Sequence, residues 1–125
     1  MAETEIIRNI KWYKNYFSDF YLSRSEKERI KIKYVLKVIE TQRIIPIKFF
    51  KQIEGTDGLY EIRVEFESNI LRIFCCNDKG ALVVLFNGFQ KKTQKTPPDE
   101  IRRAKKIMND YFKDKENGRD DRRKA

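Results

Sequence analysis

Leu59-Tyr60-Glu61-Ile62-Arg63-Val64-Glu65-Phe66-Glu67-Ser68-Asn69-Ile70-Leu71-Arg72-Ile73-Phe74-Cys75-Cys76 is the stretch on which the fold turns. Successive strand side chains point to opposite faces, so Tyr60, Ile62, Val64 and Phe66 share one face and Leu59, Glu61, Arg63 and Glu65 the other. If Glu67-Ser68 form a two-residue hairpin turn, Val64 pairs with Leu71, Ile62 with Ile73 and Tyr60 with Cys75, which makes the first face apolar on both strands. The same register sets Arg63 opposite Arg72. Like charges facing each other across a strand pair are unfavourable by some tenths of a kcal/mol. Either an anion sits between the two guanidinium groups or each pairs with a neighbouring carboxylate, Glu61 or Glu65.

Outward from this hairpin, β-branched and aromatic runs predict further strands at Ile47–Ile53 and Ala81–Asn87, bounded by the turn-rich Glu54-Gly55-Thr56-Asp57-Gly58 and Asn77-Asp78-Lys79-Gly80. Together they read as an antiparallel meander of about four strands. On the N-terminal side, Ile6–Lys11 reads as a short strand, and Trp12-Tyr13-Lys14-Asn15-Tyr16-Phe17 has helical spacing through Phe20 and Tyr21. Ser25 and Glu28 form an S-x-x-E capping box. After it Ile30, Tyr34, Val35, Val38 and Ile39 recur near every fourth residue, predicting an amphipathic helix that ends near Arg43. On the C-terminal side, Thr96-Pro97-Pro98-Asp99 signals a helix start with Thr96 as cap, and Ile101, Ala104, Ile107, Met108, Tyr111 and Phe112 supply a buried stripe. The fold class is therefore α+β: N-terminal helices on a twisted antiparallel sheet, closed by a C-terminal helix. One domain over residues 1–112 and a charged, flexible tail over 113–125 are expected.

The 125 residues suffice for one core without disulfides or metal. Twenty-eight Lys and Arg against 19 Asp and Glu leave a charge of +9, which steers polyanions to the surface or simply keeps the chain dispersed. Histidine is absent, which removes the usual neutral-pH base and the usual zinc ligand, and no cofactor or metal is expected. The adjacent Cys75 and Cys76 point to opposite strand faces and read as filler in a reducing compartment. An acidic N-terminus and the lack of a long apolar run give the expectation of a cytoplasmic protein without signal peptide or membrane span. A second basic cluster, Lys91-Lys92-Thr93-Gln94-Lys95, follows the last strand, where lysines, amide and hydroxyl donors and the positive end of the next helix converge. It reads as an anion site or as a solvated loop.

Three segments carry a family resemblance: Lys51–Arg63 with its L-Y-E-I-R, Ile70-Leu71-Arg72-Ile73-Phe74, and Leu85–Pro97 with its G-F-x-K-K-T-x-K-T-P. Together they resemble the phage-derived HigB-like family of the RelE toxin superfamily. The resemblance implies the toxin of a type II toxin–antitoxin pair: an endoribonuclease that cuts messenger RNA on the ribosome by 2′-hydroxyl attack on the adjacent phosphate. It also implies silencing by a small helix-turn-helix antitoxin in a higher oligomer, with no membrane partner. Carried over by position, Arg63, Arg72, Lys91 and Lys92 bind and stabilise the phosphate, Glu61 is the candidate base, and Lys95, Lys51, Gln94 and Thr93 add RNA contacts. This sequence departs from related toxins in lacking an identifiable aromatic hydroxyl near the last helix, since Tyr111 lies on the core stripe. Two other readings stay open on the same fold, a gyrase poison and a non-catalytic RNA- or protein-binding module.

Overall fold

The computed structural model describes residues 5–92 and 95–118 and the backbone of residues 122–124. Its elements in chain order are β1 (Asn9–Tyr13), α1 (Tyr16–Leu22), α2 (Glu26–Thr41), β2 (Phe50–Gln52), β3 (Leu59–Phe66), β4 (Asn69–Asn77), β5 (Leu82–Lys91), α3 (Pro98–Glu116) and β6 (Arg122–Lys124). The strands lie in the order β2-β3-β4-β5-β1-β6. The α+β class holds, but the sheet is mixed: β1 runs parallel to β5, with Asn9 opposite Leu82 and Trp12 opposite Leu85. The expected four antiparallel strands are the central meander β2 to β5.

Strands β3 and β4 pair in the expected register, with Val64 opposite Leu71, Ile62 opposite Ile73, Tyr60 opposite Cys75 and Arg63 opposite Arg72. That alternation builds two cores. Ile62, Val64, Leu71, Ile73 and Cys75 pack with Phe17, Phe20, Ile32, Val35 and Ile39 under α1 and α2. Leu59, Phe74, Cys76, Val84 and Phe86 pack with Ala104, Ile107, Met108 and Tyr111 of α3 on the opposite face. Cys75 and Cys76 thus divide between the cores as free thiols. Burial, followed by the nearby Asp78 charge, pushes the Cys76 thiol up to about 12.

Several boundaries differ from the sequence reading. Trp12 and Tyr13 belong to β1 rather than to a helix, because the edge of β5 offers a partner that a local aromatic run cannot announce. Helix α2 buries Ile32, Val35, Leu36 and Ile39, whereas Ile30 and Tyr34 stand in solvent at 60% and 54% exposure. The strand expected over Ile47–Ile53 shrinks to Phe50–Gln52, and β5 continues past Asn87 to Lys91. Helix α3 has Pro97 at its N-cap and no side-chain cap, so Thr96 is free for another contact. Of the expected tail, residues 113–116 extend α3 and residues 122–124 pair with the outer edge of β1, while 119–121 and 125 lie outside the described residues.

Helix α2 is held at both ends. Arg8 donates from Nη1 to Ile39 O at 3.1 Å and Gln42 O at 2.6 Å, and from Nη2 to Arg43 O at 2.8 Å, which satisfies carbonyls at the C-terminal end. At the start, Ser25 Oγ accepts from Glu28 N at 3.2 Å and Ser25 N donates to Glu28 Oε1 at 3.1 Å, the reciprocal capping box. Burial by itself would raise the Glu28 carboxyl. Hydrogen bonds from the Ser25 backbone and hydroxyl, the Arg24 charge and the Asn69 amide overcome it and hold the group below its ordinary value. Ser25→Ala is expected to cost about 1 kcal/mol in urea melts at neutral pH. Because the folded value of Glu28 is the lower one, its contribution is complete above the ordinary carboxylate range and disappears as pH falls through the folded value. The wild-type advantage over Ser25→Ala should therefore shrink in acid; an advantage that grows there would contradict the capping account.

Candidate functional site

Helix α3 covers only part of its sheet face, and the β3–β4–β5 register fixes what the rest exposes. Arg63, Arg72 and Phe89 lie side by side in one row. One step along the sheet lie Glu65, Ile70 and Lys91, and one step the other way Lys51, Glu61 and Phe74. Phe89, opposite Arg72, stacks on Phe74 with centroids 5.5 Å apart. The row containing Arg63 and Arg72 opens into a cavity of about 650 Å³ whose walls include Arg63, Arg72, Ser68, Gln90, Lys91 and Lys92.

Arg72 is 2% exposed and donates from Nη1 to Leu71 O at 3.0 Å. Glu61, also buried, resolves the repulsion between the arginines: its Oε1 lies 3.6 Å from Arg63 Nε and 3.8 Å from Arg72 Nε. Its Oε2 accepts from Thr96 Oγ1 at 3.3 Å. The acidic neighbour thus partly satisfies the pair, as the second of the two sequence readings expected, but one carboxylate faces two guanidinium groups and neither Nε gains a hydrogen bond from it. Among the described residues, the buried side-chain nitrogens and oxygens without a hydrogen-bond partner belong to Arg63, Arg72 and Asn87, all on these three adjacent strands. Such groups are rare in folded proteins and ask for an explanation.

Charge balance points the same way, since Arg63, Arg72, Lys91 and Lys92 outnumber Glu61 and Glu65. Burial lowers the Arg72 pKa, with the Arg63 charge adding to it and Glu61 and Glu65 opposing it. Arginine remains protonated nonetheless. Burial first and Arg72 second also lower Lys91, so its ammonium gives up a proton more readily than an ordinary lysine.

Of the sequence candidates, Arg63, Arg72, Lys91 and Lys92 share the cavity and Glu61 sits against its arginines. Lys51 stands opposite Glu61 on β2 and shares with it and Thr96 a smaller recess of about 320 Å³. Lys95 is exposed beside Thr96 just before α3, and Thr93 and Gln94 lie outside the described residues. Tyr60 stacks on Phe50 at 4.8 Å against the α1–α2 core. Tyr111 is buried and donates its hydroxyl to Asp78, which also accepts from Lys115 Nζ at 2.6 Å, so Tyr111 serves the core. Sequence reasoning missed Thr96 as the holder of Glu61 and the stack of Phe89 on Phe74 beside Arg72. Thr96 reads as a cap because only the folded chain brings Glu61 to it.

The family described as phage derived protein Gp49-like (DUF891) matches residues 19–109, from α1 through most of α3 and including every strand that lines the cavity. The chain belongs to the Gp49-like family. This is a phage-derived, RelE/HigB-type family of toxin-like proteins. No curated protein matches the chain. The Gp49-like match leaves out β1 and β6, the outer side of the sheet remote from the arginines. Among the described residues no helix is long and apolar enough to cross a membrane.

Proposed function

We propose that this Gp49-like chain is the toxin of a type II toxin–antitoxin pair of the HigB-like branch and cuts messenger RNA on the ribosome. The observation that carries the reading is the concentration of unsatisfied buried guanidinium nitrogens and surplus cations at one cavity beside Glu61. A phosphodiester is an anion of the right kind for that place, and planar guanidinium groups suit its oxygens. In the proposed step the ribose 2′-oxygen forms a bond to phosphorus while the bond to the 5′-oxygen breaks, leaving a 2′,3′-cyclic phosphate and a 5′-hydroxyl. Arg63 and Arg72 stabilise the charge that develops on the phosphoryl oxygens, an effect that needs no histidine. Glu61 accepts the 2′-hydroxyl proton. Lys91, whose ammonium is made more acidic by burial and Arg72, donates to the leaving 5′-oxygen, and Lys92, Lys95 and Lys51 hold flanking phosphates. On this reading the protein works in the cytoplasm and its partner is a small helix-turn-helix antitoxin.

Mapping transcript ends after induction tests this directly, with breaks at in-frame codon positions expected. Arg63→Ala should reduce those breaks about a hundredfold and leave the melting temperature close to wild type, because Arg63 is partly exposed. Intact transcripts with broken chromosomal DNA would establish the gyrase reading instead. Intact transcripts and intact DNA, with RNA affinity that falls steeply with salt, would establish the binding module.

A further inference from the structure

Beyond the point where β2 ends, the edge of β3 borders a second cavity of about 400 Å³ lined by Lys31, Tyr34, Lys48, Phe49, Arg63 and Glu65. It shares Arg63 and Glu65 with the larger cleft, so the two are neighbours. Tyr34, like Ile30, is a residue that the amphipathic pattern sends inward and the fold leaves exposed, here at 54%. Its ring meets that of Phe49 edge to face, with centroids 6.2 Å apart and planes at 80°, making an aromatic corner. Each ring carries an ammonium: Lys31 Nζ lies 5.0 Å from the Tyr34 centroid and Lys48 Nζ 5.0 Å from that of Phe49. The corner is tied to the cleft by the backbone, since Arg63 N donates to Phe49 O at 2.8 Å.

We propose that Tyr34 and Phe49 form a stacking shelf for an unpaired base of single-stranded RNA whose neighbouring phosphate is held by Arg63. This rests on the RNA reading given above and adds a subsite to it. An exposed aromatic pair interleaved with lysines, next to a phosphate-binding arginine, is the combination by which proteins hold single strands: every base has a face to stack, and the cations follow the backbone. The lysines now resting on the rings do not oppose this. An exposed cation–π contact is weaker than stacking of a base on an aromatic ring, so the base displaces the ammonium, which is then placed to meet a flanking phosphate. Around the corner Lys31, Lys48 and Arg63 outnumber Glu65, leaving room for that extra anion.

The test measures fluorescence anisotropy of the full chain with a labelled oligouridylate and with an abasic ribose-phosphate chain of the same length. Tyr34→Ala should weaken oligouridylate binding about tenfold and leave the abasic chain unaffected, and Tyr34→Phe should bind like wild type. Arg63→Ala should weaken both chains. An equal loss for both chains with Tyr34→Ala, or no loss for either, would overturn the shelf, and the RNA reading would survive as long as Arg63→Ala still weakened both. Failure of the unmodified protein to bind either chain would overturn the shelf, whereas the cleavage reading falls only if transcripts stay intact on induction. Thermal melting of Tyr34→Ala guards against a folding artefact, which the exposure of Tyr34 makes easy to avoid.

Discussion

Arg72→Met is expected to reduce transcript cleavage by about a thousandfold, the scale seen when a preorganised charge on a phosphoryl or acyl transition state is removed. Methionine is flexible, apolar and shorter than arginine but close to it in volume, so it fills most of the space that the buried Arg72 side chain occupies. What it removes is the guanidinium at the base of the cavity. The stability consequence is smaller than burial alone suggests. Removing one partner from a buried ion pair ordinarily costs about 3–5 kcal/mol because the other charge is stranded. Here Glu61 keeps Arg63 at 3.6 Å and the Thr96 hydroxyl at 3.3 Å. The fold also loses a buried Nε that has no hydrogen-bond partner and a guanidinium that Arg63 repels. These gains offset much of the loss, and the folding free energy of Arg72→Met should stay within about 2 kcal/mol of wild type.

The comparison with Arg72→Lys separates charge from shape. Lysine restores the positive charge but not the planar fork, so it should recover only part of the rate. Growth arrest on induction, transcript-end mapping and urea melts give the three readouts. Undiminished arrest by a folded Arg72→Met would remove Arg72 from the chemistry and leave its burial as a purely structural fact.

The part of the fold that the sequence displayed was the part built from local pattern. The β3–β4 hairpin has a period of two on one face and a two-residue turn at Glu67-Ser68, so the register that sets Val64 on Leu71, Ile62 on Ile73 and Tyr60 on Cys75 joins apolar partners, and that register carries Arg63 to Arg72. Where two patterns overlap, the sequence is ambiguous. Helix α2 carries apolar residues on two stripes, Ile30–Tyr34–Val38 and Ile32–Val35–Leu36–Ile39, and periodicity measures spacing without saying which stripe meets the sheet. The sheet chose the second, which is why Tyr34 was left outside beside Arg63. Strand β1 was read only in part, as Ile6–Lys11 without Trp12 and Tyr13, and its pairing was hidden for a different reason: its partner is β5, far along the chain, and parallel pairing leaves no turn between the two strands to announce it. The site followed the same division. Arg63, Arg72 and Lys91 came together through strand register, whereas the contact between Thr96 and Glu61 joins a loop to a strand and has no sequence signature.

Gly88 gives the second large effect, on stability. It lies opposite Ile73 at the irregular step of the β4–β5 pairing, immediately before Phe89. A Cβ placed there would stand 2.4 Å from Phe20 Cδ2, 2.7 Å from Cγ and 2.8 Å from Cε2. Those are ring atoms of a core residue on α1, packed under the α1–α2 face and unable to swing away like the end of a long side chain. Gly88→Ala must therefore push α1 off β5 or bend β5, at a cost of about 2 kcal/mol, equivalent to a fall in melting temperature of roughly 8 °C. Bending β5 would also shift Phe89 and Lys91, so cleavage should fall in parallel with stability even though Gly88 touches no substrate. Trimming the obstructing ring separates this steric cost from any intrinsic cost of alanine in a strand. Phe20→Leu alone should destabilise by opening a gap, yet combined with Gly88→Ala it should lose less than the sum of the two single losses, because the new methyl enters the space the ring vacates. Strict additivity in calorimetry would mean that α1 and β5 do not meet at Gly88, and the placement of α1 over the end of β5 would have to be abandoned.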